Sequence, residues 1–163
     1  MARGLIEQLL GALSGGAQYR KATFLLNSLG QQVFPDFVRI HEDPFIRQAL
    51  ASRSYDSEGV APRQRDIVKD GVVQEYFLGS YSARKLGMKT TGSASGASNI
   101  LVADTGVSFV DLIQQMHTGL MVTELFGSGV NTMTGDYSRG AVGYWIEDGL
   151  IQHPVEEVTI AGN

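Results

Sequence analysis

The sequence contains no cysteine among its 163 residues. This absence excludes a disulfide framework, a cysteine-ligated metal and a cysteine nucleophile, and it fits a reducing compartment. Long apolar runs are also missing, since none approaches the roughly 18 residues that cross a membrane. The N-terminus starts in a helical pattern and lacks the layout of a signal peptide. The sequence therefore predicts a cytoplasmic protein with no membrane contact.

Clusters of positive charge are absent as well, because no basic run exceeds two residues and the formal net charge is −4. Such a balance does not favour nucleic-acid binding. Apolar residues make up 43% and charged residues 18% of the chain, which is typical of a globular protein. The length is sufficient for one domain with its own core and short for two. Residues 1–163 are therefore predicted to form a single domain.

Four segments carry helix signals. Apolar residues at positions 5, 6, 9, 10 and 13 recur at helical spacing and predict a first helix that ends at Ser14-Gly15-Gly16. Asp43-Pro44 is a typical helix start and predicts a short helix through Leu50. Two further helices are predicted over 80–86, ending at Gly87, and over 109–116, capped by Ser108.

Two Asp-Gly dipeptides, at 70–71 and 148–149, lie between strand-like runs and predict tight β-hairpins. Because tight turns rather than crossover helices join the strands, antiparallel sheets are favoured. The predicted strands cover 37–41, 65–69, 72–78, 99–102, 121–125, 140–147, 150–153 and 155–160. The predicted fold class is α+β and strand-rich, with largely antiparallel, barrel- or sandwich-like sheets and three or four short helices.

Most polar motifs favour structural interpretations. The three histidines, His41, His117 and His153, are far apart and lack a second ligand at helical spacing, so an intrinsic metal site is not favoured. The Gly/Ser stretches 91–98 and 127–129 lack both the Walker lysine and the nucleophile elbow, and they are interpreted as turns. The charge alternation over 63–66 is interpreted as an exposed strand edge. The carboxylates at 56 and 58 lie two residues apart, and the sequence leaves their geometry open.

The stretch TGDYSRG, residues 134–140, places Asp136, Tyr137, Ser138 and Arg139 between two glycines. These side chains could form a small active site, but the stretch contains no histidine to serve as a base. The favoured interpretation is a polar connection between strands. In it, Asp136 would accept backbone hydrogen bonds in an Asx turn and Arg139 would pair with Asp136.

A family resemblance rests on long motifs in a fixed order along the chain. They are YDSEGVAPRQRDIVKDG (55–71), GSYSARKLGMKTTG (79–92), LMVTELFGSGVN (120–131), TGDYSRGA (134–141), GYWIEDG (143–149) and PVEEVTIAGN (154–163). Together with GALSGGAQYRKATFLLNSLGQQVFP (11–35) they cover nearly the whole chain. The sequence resembles the PmbA (TldE) branch of the TldD/PmbA metallopeptidase family, whose members are often labelled modulators of DNA gyrase.

The resemblance implies a two-subunit cytoplasmic metallopeptidase in which the TldD-type subunit carries zinc on a helix with an HExxxH pattern. That helix aligns with residues 7–12, so the two histidine positions fall on Glu7 and Ala12. An alanine cannot bind a metal ion, and one glutamate is not a site. The resemblance therefore implies that this chain holds no cofactor, and that zinc belongs to a TldD-type partner subunit.

The function implied by the resemblance is that of a non-metal-binding subunit, in a heterodimer that degrades or processes extended, unfolded peptides. The expected contacts with substrate or partner are Asp136, Tyr137, Ser138, Arg139 and Glu124, with no catalytic residue in this chain. One alternative is a regulatory protein-binding module without proteolytic activity, and another is a metal-independent hydrolase using Ser138 or Ser80. Family members are longer, so the chain is interpreted as a truncated C-terminal domain that is expected to self-associate.

Overall fold

A computed structural model describes the backbone of residues 2–163 and the side chains from residue 4 onward. The chain forms two compact units. The N-terminal unit comprises residues 7–103, and the C-terminal unit comprises residues 104–163 with the N-terminal residues through Ile6. The single domain predicted from the sequence remains a prediction.

Three short helices lie between residues 2 and 85: α1 (Ala2–Ala12), α2 (Gly15–Tyr19) and α3 (Ser80–Lys85). The predictions for α1 and α3 are confirmed. α1 ends at Ala12, just before the predicted stop at residues 14–16. A second helix, α2, which was not predicted, begins there, because the Ser14 hydroxyl accepts a hydrogen bond from the Ala17 N–H at 3.3 Å. Gly15 is needed at this position, since a side chain there would collide with Ser82 of α3.

The N-terminal unit contains a four-stranded antiparallel sheet in the order β3-β2-β1-β4. Its strands are β1 (Ile40–Asp43), β2 (Arg65–Lys69), β3 (Val72–Val73) and β4 (Asn99–Val102). The core of this unit consists of fully buried aliphatic side chains, namely Leu13, Ile40, Ile67, Val68, Val73 and Leu78. The predicted strands 65–69 and 99–102 are confirmed. The other two predicted strands differ from the structure. The strand predicted at 37–41 lies at 40–43, and the strand predicted at 72–78 ends at Val73.

The predicted helix from Asp43 through Leu50 is wrong, because that segment forms successive turns. The Asp43 side chain accepts a hydrogen bond from the Phe45 N–H at 2.8 Å, as a helix cap would. However, Gln48 adopts a φ of 63°, which interrupts any helical path. The Ser52 hydroxyl then donates to the Ile46 carbonyl at 2.6 Å and stabilises the turns.

The C-terminal unit contains α4 (Phe109–Met116) and a three-stranded antiparallel sheet in the order β5-β6-β7. The strands are β5 (Gly119–Val130), β6 (Tyr137–Glu147) and β7 (Leu150–Gly162), all longer than predicted. The predicted cap of α4 is confirmed, since the Ser108 hydroxyl accepts a hydrogen bond from the Asp111 N–H. Two predicted runs merge into β7, where register shifts and a Glu157 φ of 57° let one strand continue.

The fold class predicted from the sequence is confirmed as α+β and strand-rich, with antiparallel sheets and four short helices in the described part of the chain. Both sheets are open, so a closed barrel is not formed by the described residues. No helix between residues 2 and 163 is long and apolar enough to cross a membrane.

Candidate functional site

The connection between β5 and β6 contains the first three residues of the polar stretch TGDYSRG, and the remaining four residues begin β6. The Asn131 side-chain oxygen accepts hydrogen bonds from the N–H groups of Met133 (3.0 Å) and Thr134 (3.4 Å). The Gly135 N–H donates to the Asn131 carbonyl at 2.9 Å, with Gly135 at a φ of 84°. The Asx turn that the sequence analysis assigned to Asp136 is therefore built by Asn131.

The Asp136 carboxylate is exposed at the tip of this connection and is held by two side chains. The Thr134 hydroxyl donates to it at 2.6 Å, and the Asn163 amide donates at 2.8 Å. These donors, Thr134 first and then Asn163, hold the pKa of Asp136 below its ordinary value. The side chain of Arg139 forms no ion pair with Asp136 in the described structure, so the predicted local pair is wrong.

Strand alternation separates the remaining residues of the stretch. Successive side chains of a strand point to opposite faces, so Tyr137 and Arg139 lie on one face of β6 and Ser138 lies on the other. Tyr137 and Arg139 are half-buried, whereas Ser138 is exposed. The Arg139 Nε atom is shielded from solvent and has no hydrogen-bond partner. This Nε–H donor is therefore unsatisfied in the described structure.

Glu124 lies on the neighbouring strand β5, where it pairs with Val142. Paired residues share a face of the sheet, so Glu124 is on the same face as Ser138. Val142 is four positions beyond Ser138 on β6, which is roughly 13–14 Å along the strand. The structure thus places the five predicted contact residues in three positions: the loop tip, one sheet face and the opposite face.

The surroundings of Ser138 and Ser80 bear on the alternative of a metal-independent serine hydrolase. Neither Ser138 nor Ser80 has a histidine as a hydrogen-bond partner in the described structure. Ser80 begins α3, and its N–H donates to a Glu58 carboxylate oxygen at 2.7 Å. His41 instead pairs with Asp66, with 2.8 Å between Nδ1 and Oδ1. His117 ends α4 and lies 3.7 Å from the Asp148 carboxylate.

The zinc helix of the resembled family aligns with α1, whose residues 7 and 12 are glutamate and alanine. Ala12, at the second histidine position, is 1% exposed and packs in the core. Zinc in catalytic sites takes at least three protein ligands from histidine, cysteine or carboxylates. Among the side chains described from residue 4 onward, no three such groups are close enough to hold an ion together. The donor set present in this region does not fit zinc.

The most developed polar cluster, which the sequence analysis missed, is centred on Arg65 in the N-terminal unit. Its guanidinium donates to Glu42 at 2.6 Å, to Glu75 at 2.9 Å and to the Ser93 hydroxyl at 2.8 Å. The second Glu42 oxygen accepts from the N–H and hydroxyl of Ser98. Because every charged group has partners, the cluster is a structural network rather than a reactive site.

The interpretation of residues 63–66 as an exposed edge is wrong for Arg65, which is 5% exposed. Its strand, β2, lies inside the sheet order and pairs on both sides. Arg63, which precedes the strand, is exposed as expected. The sequence does contain the two acidic partners of Arg65, Glu42 and Glu75. Both are distant from Arg65 along the chain, so the sequence alone does not show that they form ion pairs with it.

Asp56 and Glu58, whose geometry the sequence left open, have separate structural roles. Asp56 is buried and accepts hydrogen bonds from the N–H groups of Ala94, Val60 and Glu58. Burial raises the pKa of Asp56, but these hydrogen bonds and the nearby Arg53 outweigh burial and hold the pKa below 3.8. Glu58 caps α3 through the Ser80 N–H. Both carboxylates therefore fix loops.

These features define a strand-rich α+β protein whose described residues contain neither a serine–histidine pair nor a metal-ligand cluster. Residues 1–163 match the family described as PmbA/TldA metallopeptidase C-terminal domain. The chain belongs to this family.

Relatives agree with this assignment along the full chain. The chain is 55% identical over 163 residues to "Metalloprotease PmbA" of Escherichia coli O157:H7, covering 100% of this chain and 36% of that protein. It is 52% identical to "Metalloprotease PmbA homolog" of Haemophilus influenzae, covering 99% of this chain and 36% of the relative. The chain thus spans about a third of the length of these relatives.

Solved structures share the fold. A putative modulator of DNA gyrase from Bacteroides thetaiotaomicron superposes with a TM-score of 0.93 at 34% identity, over 99% of this chain and 36% of that one. TldE from Thermococcus kodakarensis gives a TM-score of 0.81 at 26% identity, over 95% of this chain and 38% of that one.

Proposed function

We propose that this chain is part of the metal-free subunit of a two-subunit PmbA/TldD-type peptidase in the cytoplasm, which acts on extended, unfolded peptides. The observation that carries the proposal is the donor set of α1, where the two family zinc positions are Glu7 and the buried Ala12. Zinc-dependent hydrolysis is accordingly assigned to a TldD-type partner subunit, which would supply the metal that activates water.

The C-terminal sheet suggests how such a subunit would hold a peptide. Strands β5 and β7 are the two edges of the sheet β5-β6-β7. The outer side of an edge strand carries backbone N–H and C=O groups that are not paired within the sheet. An extended peptide can add to such an edge as a further strand, and its side chains then contact alternate positions.

The residues proposed for contact with substrate or partner are Asp136, Tyr137, Ser138, Arg139 and Glu124. Asp136 offers an exposed carboxylate held in a fixed orientation by Thr134 and Asn163. Arg139 offers the unsatisfied Nε–H donor of a half-buried guanidinium. Both groups are suited to polar contacts with a peptide backbone or with a partner surface.

The test is co-expression of this subunit with a TldD-type subunit, followed by cleavage of an unstructured peptide with and without a chelator. We expect chelator-sensitive cleavage by the pair, none by this chain alone, and zinc only in the TldD-type subunit. Arg139→Gln should reduce cleavage by the pair, whereas Arg47→Gln, in the N-terminal unit, serves as the matched control. Stoichiometric zinc in this chain, or cleavage by it in isolation, would refute the proposal.

A second candidate function is a regulatory protein-binding module. It is favoured because two similar structures, from Bacteroides thetaiotaomicron and Thermotoga maritima, are of proteins named putative modulators of DNA gyrase. Direct DNA contact through residues 104–163 is disfavoured, because Arg139 is the single Lys or Arg residue of this segment. The acidic residues of the same segment are Asp104, Asp111, Glu124, Asp136, Glu147, Asp148, Glu156 and Glu157. A pull-down that recovers gyrase but no TldD-type subunit would favour this candidate.

A further inference from the structure

A cleft of about 250 Å³ lies in the C-terminal unit, between α4 and the hairpin that joins β6 to β7. Phe109, Val110 and Ile113 line it from the helix, and Leu150 and Ile151 line it from the hairpin. We propose that this cleft binds a short linear segment of another protein, in which a large apolar side chain is flanked by lysine or arginine. The surface lies within residues 104–163 and does not depend on the peptidase role, so either proposal can fail without the other.

The two walls of the cleft are held together by the hairpin turn. The Gly149 N–H donates a hydrogen bond to the carbonyl of His117, at the end of α4, at 2.9 Å. A side chain at Gly149 would come within 3.0 Å of the Gln114 Cα, so glycine permits this close approach. Ile113 is buried between the walls. The cleft is therefore formed without a ligand, which lowers the entropic cost of binding.

The apolar side chains of the walls remain accessible to solvent. Phe109, Val110 and Leu150 are 60%, 61% and 63% exposed. One exposed leucine is ordinary on a protein surface, but several large apolar side chains around one cleft are typical of an interaction site. An apolar side chain that enters the cleft would remove this surface from water, which supplies the main driving force for binding.

Carboxylates adjoin both walls and give the apolar anchor its flanking chemistry. Asp111 lies in the first turn of α4, and Asp148 precedes Gly149 at the hairpin turn. Neither carboxylate forms an ion pair with lysine or arginine in the described structure. Asp111 accepts a hydrogen bond from the Ser108 hydroxyl at 2.7 Å, and Asp148 lies 3.7 Å from His117, which is charged only when protonated. Their negative charges are therefore available to a cationic partner.

Charge and size together select one class of occupant. Arg139 is the single Lys or Arg of residues 104–163, and it lies on β6 eight positions before Glu147, roughly 26 Å along the strand. A basic segment is therefore attracted to the cleft and an acidic one is repelled. Folded partners usually contribute about 20–30 residues to an interface. The cleft is smaller than the roughly 300–1,000 Å³ of drug-sized sites, so it suits one anchoring side chain of a linear segment.

The experiment is titration of the full chain with the peptide KKLKK, acetylated and amidated at its ends, followed by calorimetry and by NMR of backbone amides. We expect saturable binding with a Kd below about 1 mM and shifts concentrated at Gln114, Leu150 and Ile151. KKAKK, which lacks the large anchor, should bind at least about fivefold more weakly. No saturation by about 5 mM KKLKK would overturn the proposal, because weaker binding is not specific recognition. So would equal affinity for KKLKK and the acidic peptide EELEE.

A matched pair of substitutions locates the apolar contact. Leu150→Ser should weaken KKLKK binding at least about fivefold, because the wall of the cleft loses apolar surface. Met133→Ser, in the connection between β5 and β6, should leave the affinity unchanged. The two side chains are 63% and 62% exposed, so neither substitution should unfold the chain. Equal affinities of the two variants for KKLKK would contradict the site.

The contribution of charge is tested with Asp111→Asn/Asp148→Asn. Asparagine keeps the side-chain shape and tolerates the φ of 51° at Asp148. The double variant should bind KKLKK at least about threefold more weakly at low salt, and its affinity should fall less between about 50 and 500 mM NaCl. Glu156→Gln is the control, because Glu156 lies on β7 five positions beyond Ile151. An unchanged salt dependence in the double variant would overturn the assignment of a basic partner.

The same spectra distinguish a linear segment of another protein from a second copy of this chain. Concentrating the chain without peptide should leave the amide shifts of Leu150 and Ile151 unchanged. Shifts that move with protein concentration at these residues, and that no longer move in Leu150→Ser, would overturn the proposal, because the cleft would then be a contact between copies.

Discussion

Substitution of Arg65 by alanine should destabilise the N-terminal unit more than any single surface substitution. The Arg65 guanidinium lies against Glu42 at 2.6 Å, and both side chains are 2% exposed. Removing the arginine leaves the Glu42 carboxylate buried with only the donors of Ser98. A buried charge without a counter-ion is the most costly outcome of such a substitution.

The magnitude follows from what Arg65 contacts. It donates four hydrogen bonds, to Glu42, Glu75, the Tyr76 carbonyl and Ser93, and its guanidinium lies 5.1 Å from the centre of the Phe77 ring. Breaking a buried ion pair on one side typically costs about 3–5 kcal/mol. Domains have roughly 5–15 kcal/mol of total stability, so this loss would be a large fraction. With a urea dependence of about 1–3 kcal/mol per molar, the unfolding midpoint should fall by about 2 M.

The assay is urea unfolding followed by far-ultraviolet circular dichroism. Arg63→Ala is the matched control, because Arg63 pairs with the same carboxylate of Glu75 but its side chain is 57% exposed. An exposed pair is screened by solvent, so this control should lose no more than about 1 kcal/mol. The double variant Glu42→Leu/Arg65→Met should be more stable than Arg65→Ala, since no unpaired charge is buried.

A loss for Arg65→Ala within error of the Arg63→Ala value would refute the reasoning. It would mean that water reaches Glu42 readily or that the network contributes little to folding. A double variant less stable than Arg65→Ala would also contradict it, because the cost would then lie in packing rather than in the unpaired charge.

Three further predictions concern pH, backbone and assembly. Because the pKa of Asp56 is lowered in the folded state, its contribution to stability is present above pH 3.8 and is lost as the pH falls through the folded value. Asp56→Asn should therefore make the free energy of unfolding depend less steeply on pH in acid. An unchanged pH dependence would contradict this. Gly92→Ala should cost more than Gly96→Ala in thermal unfolding, since both have positive φ but only at Gly92 would a Cβ meet backbone, 2.8 Å from the Ala61 oxygen. The long edge strands β5 and β7 should promote concentration-dependent self-association measured by light scattering, and a monomer at all concentrations would argue against it.

Local sequence signals performed best where the determining interactions are themselves local. The Asp-Gly turns at 70–71 and 148–149 and the Ser108 cap depend on a few adjacent residues, and all three are present. The helix expected after Asp43 is absent although its start signal is correct. The competing contacts of Ser52 and the left-handed conformation of Gln48 were not visible in the local pattern.

The polar sites show the same contrast. The stretch 134–140 was interpreted as a connection between strands, but only residues 134–136 connect them, because β6 begins at Tyr137. Asp136 is held by Asn163, which is distant in sequence. The network of Glu42, Arg65 and Glu75 combines residues from separate segments, so neither its burial nor its pairing could be inferred from spacing.

The sequence by itself determined the family, the fold class and the absence of histidine at residues 7 and 12, because each depends on residue identity and local order. Tertiary structure alone decided which charges are buried, which face of β6 carries Arg139, and which distant residues pair with Arg65. The physical reason is that burial and hydrogen bonding depend on contacts between segments distant along the chain, which strand pairing and packing bring together.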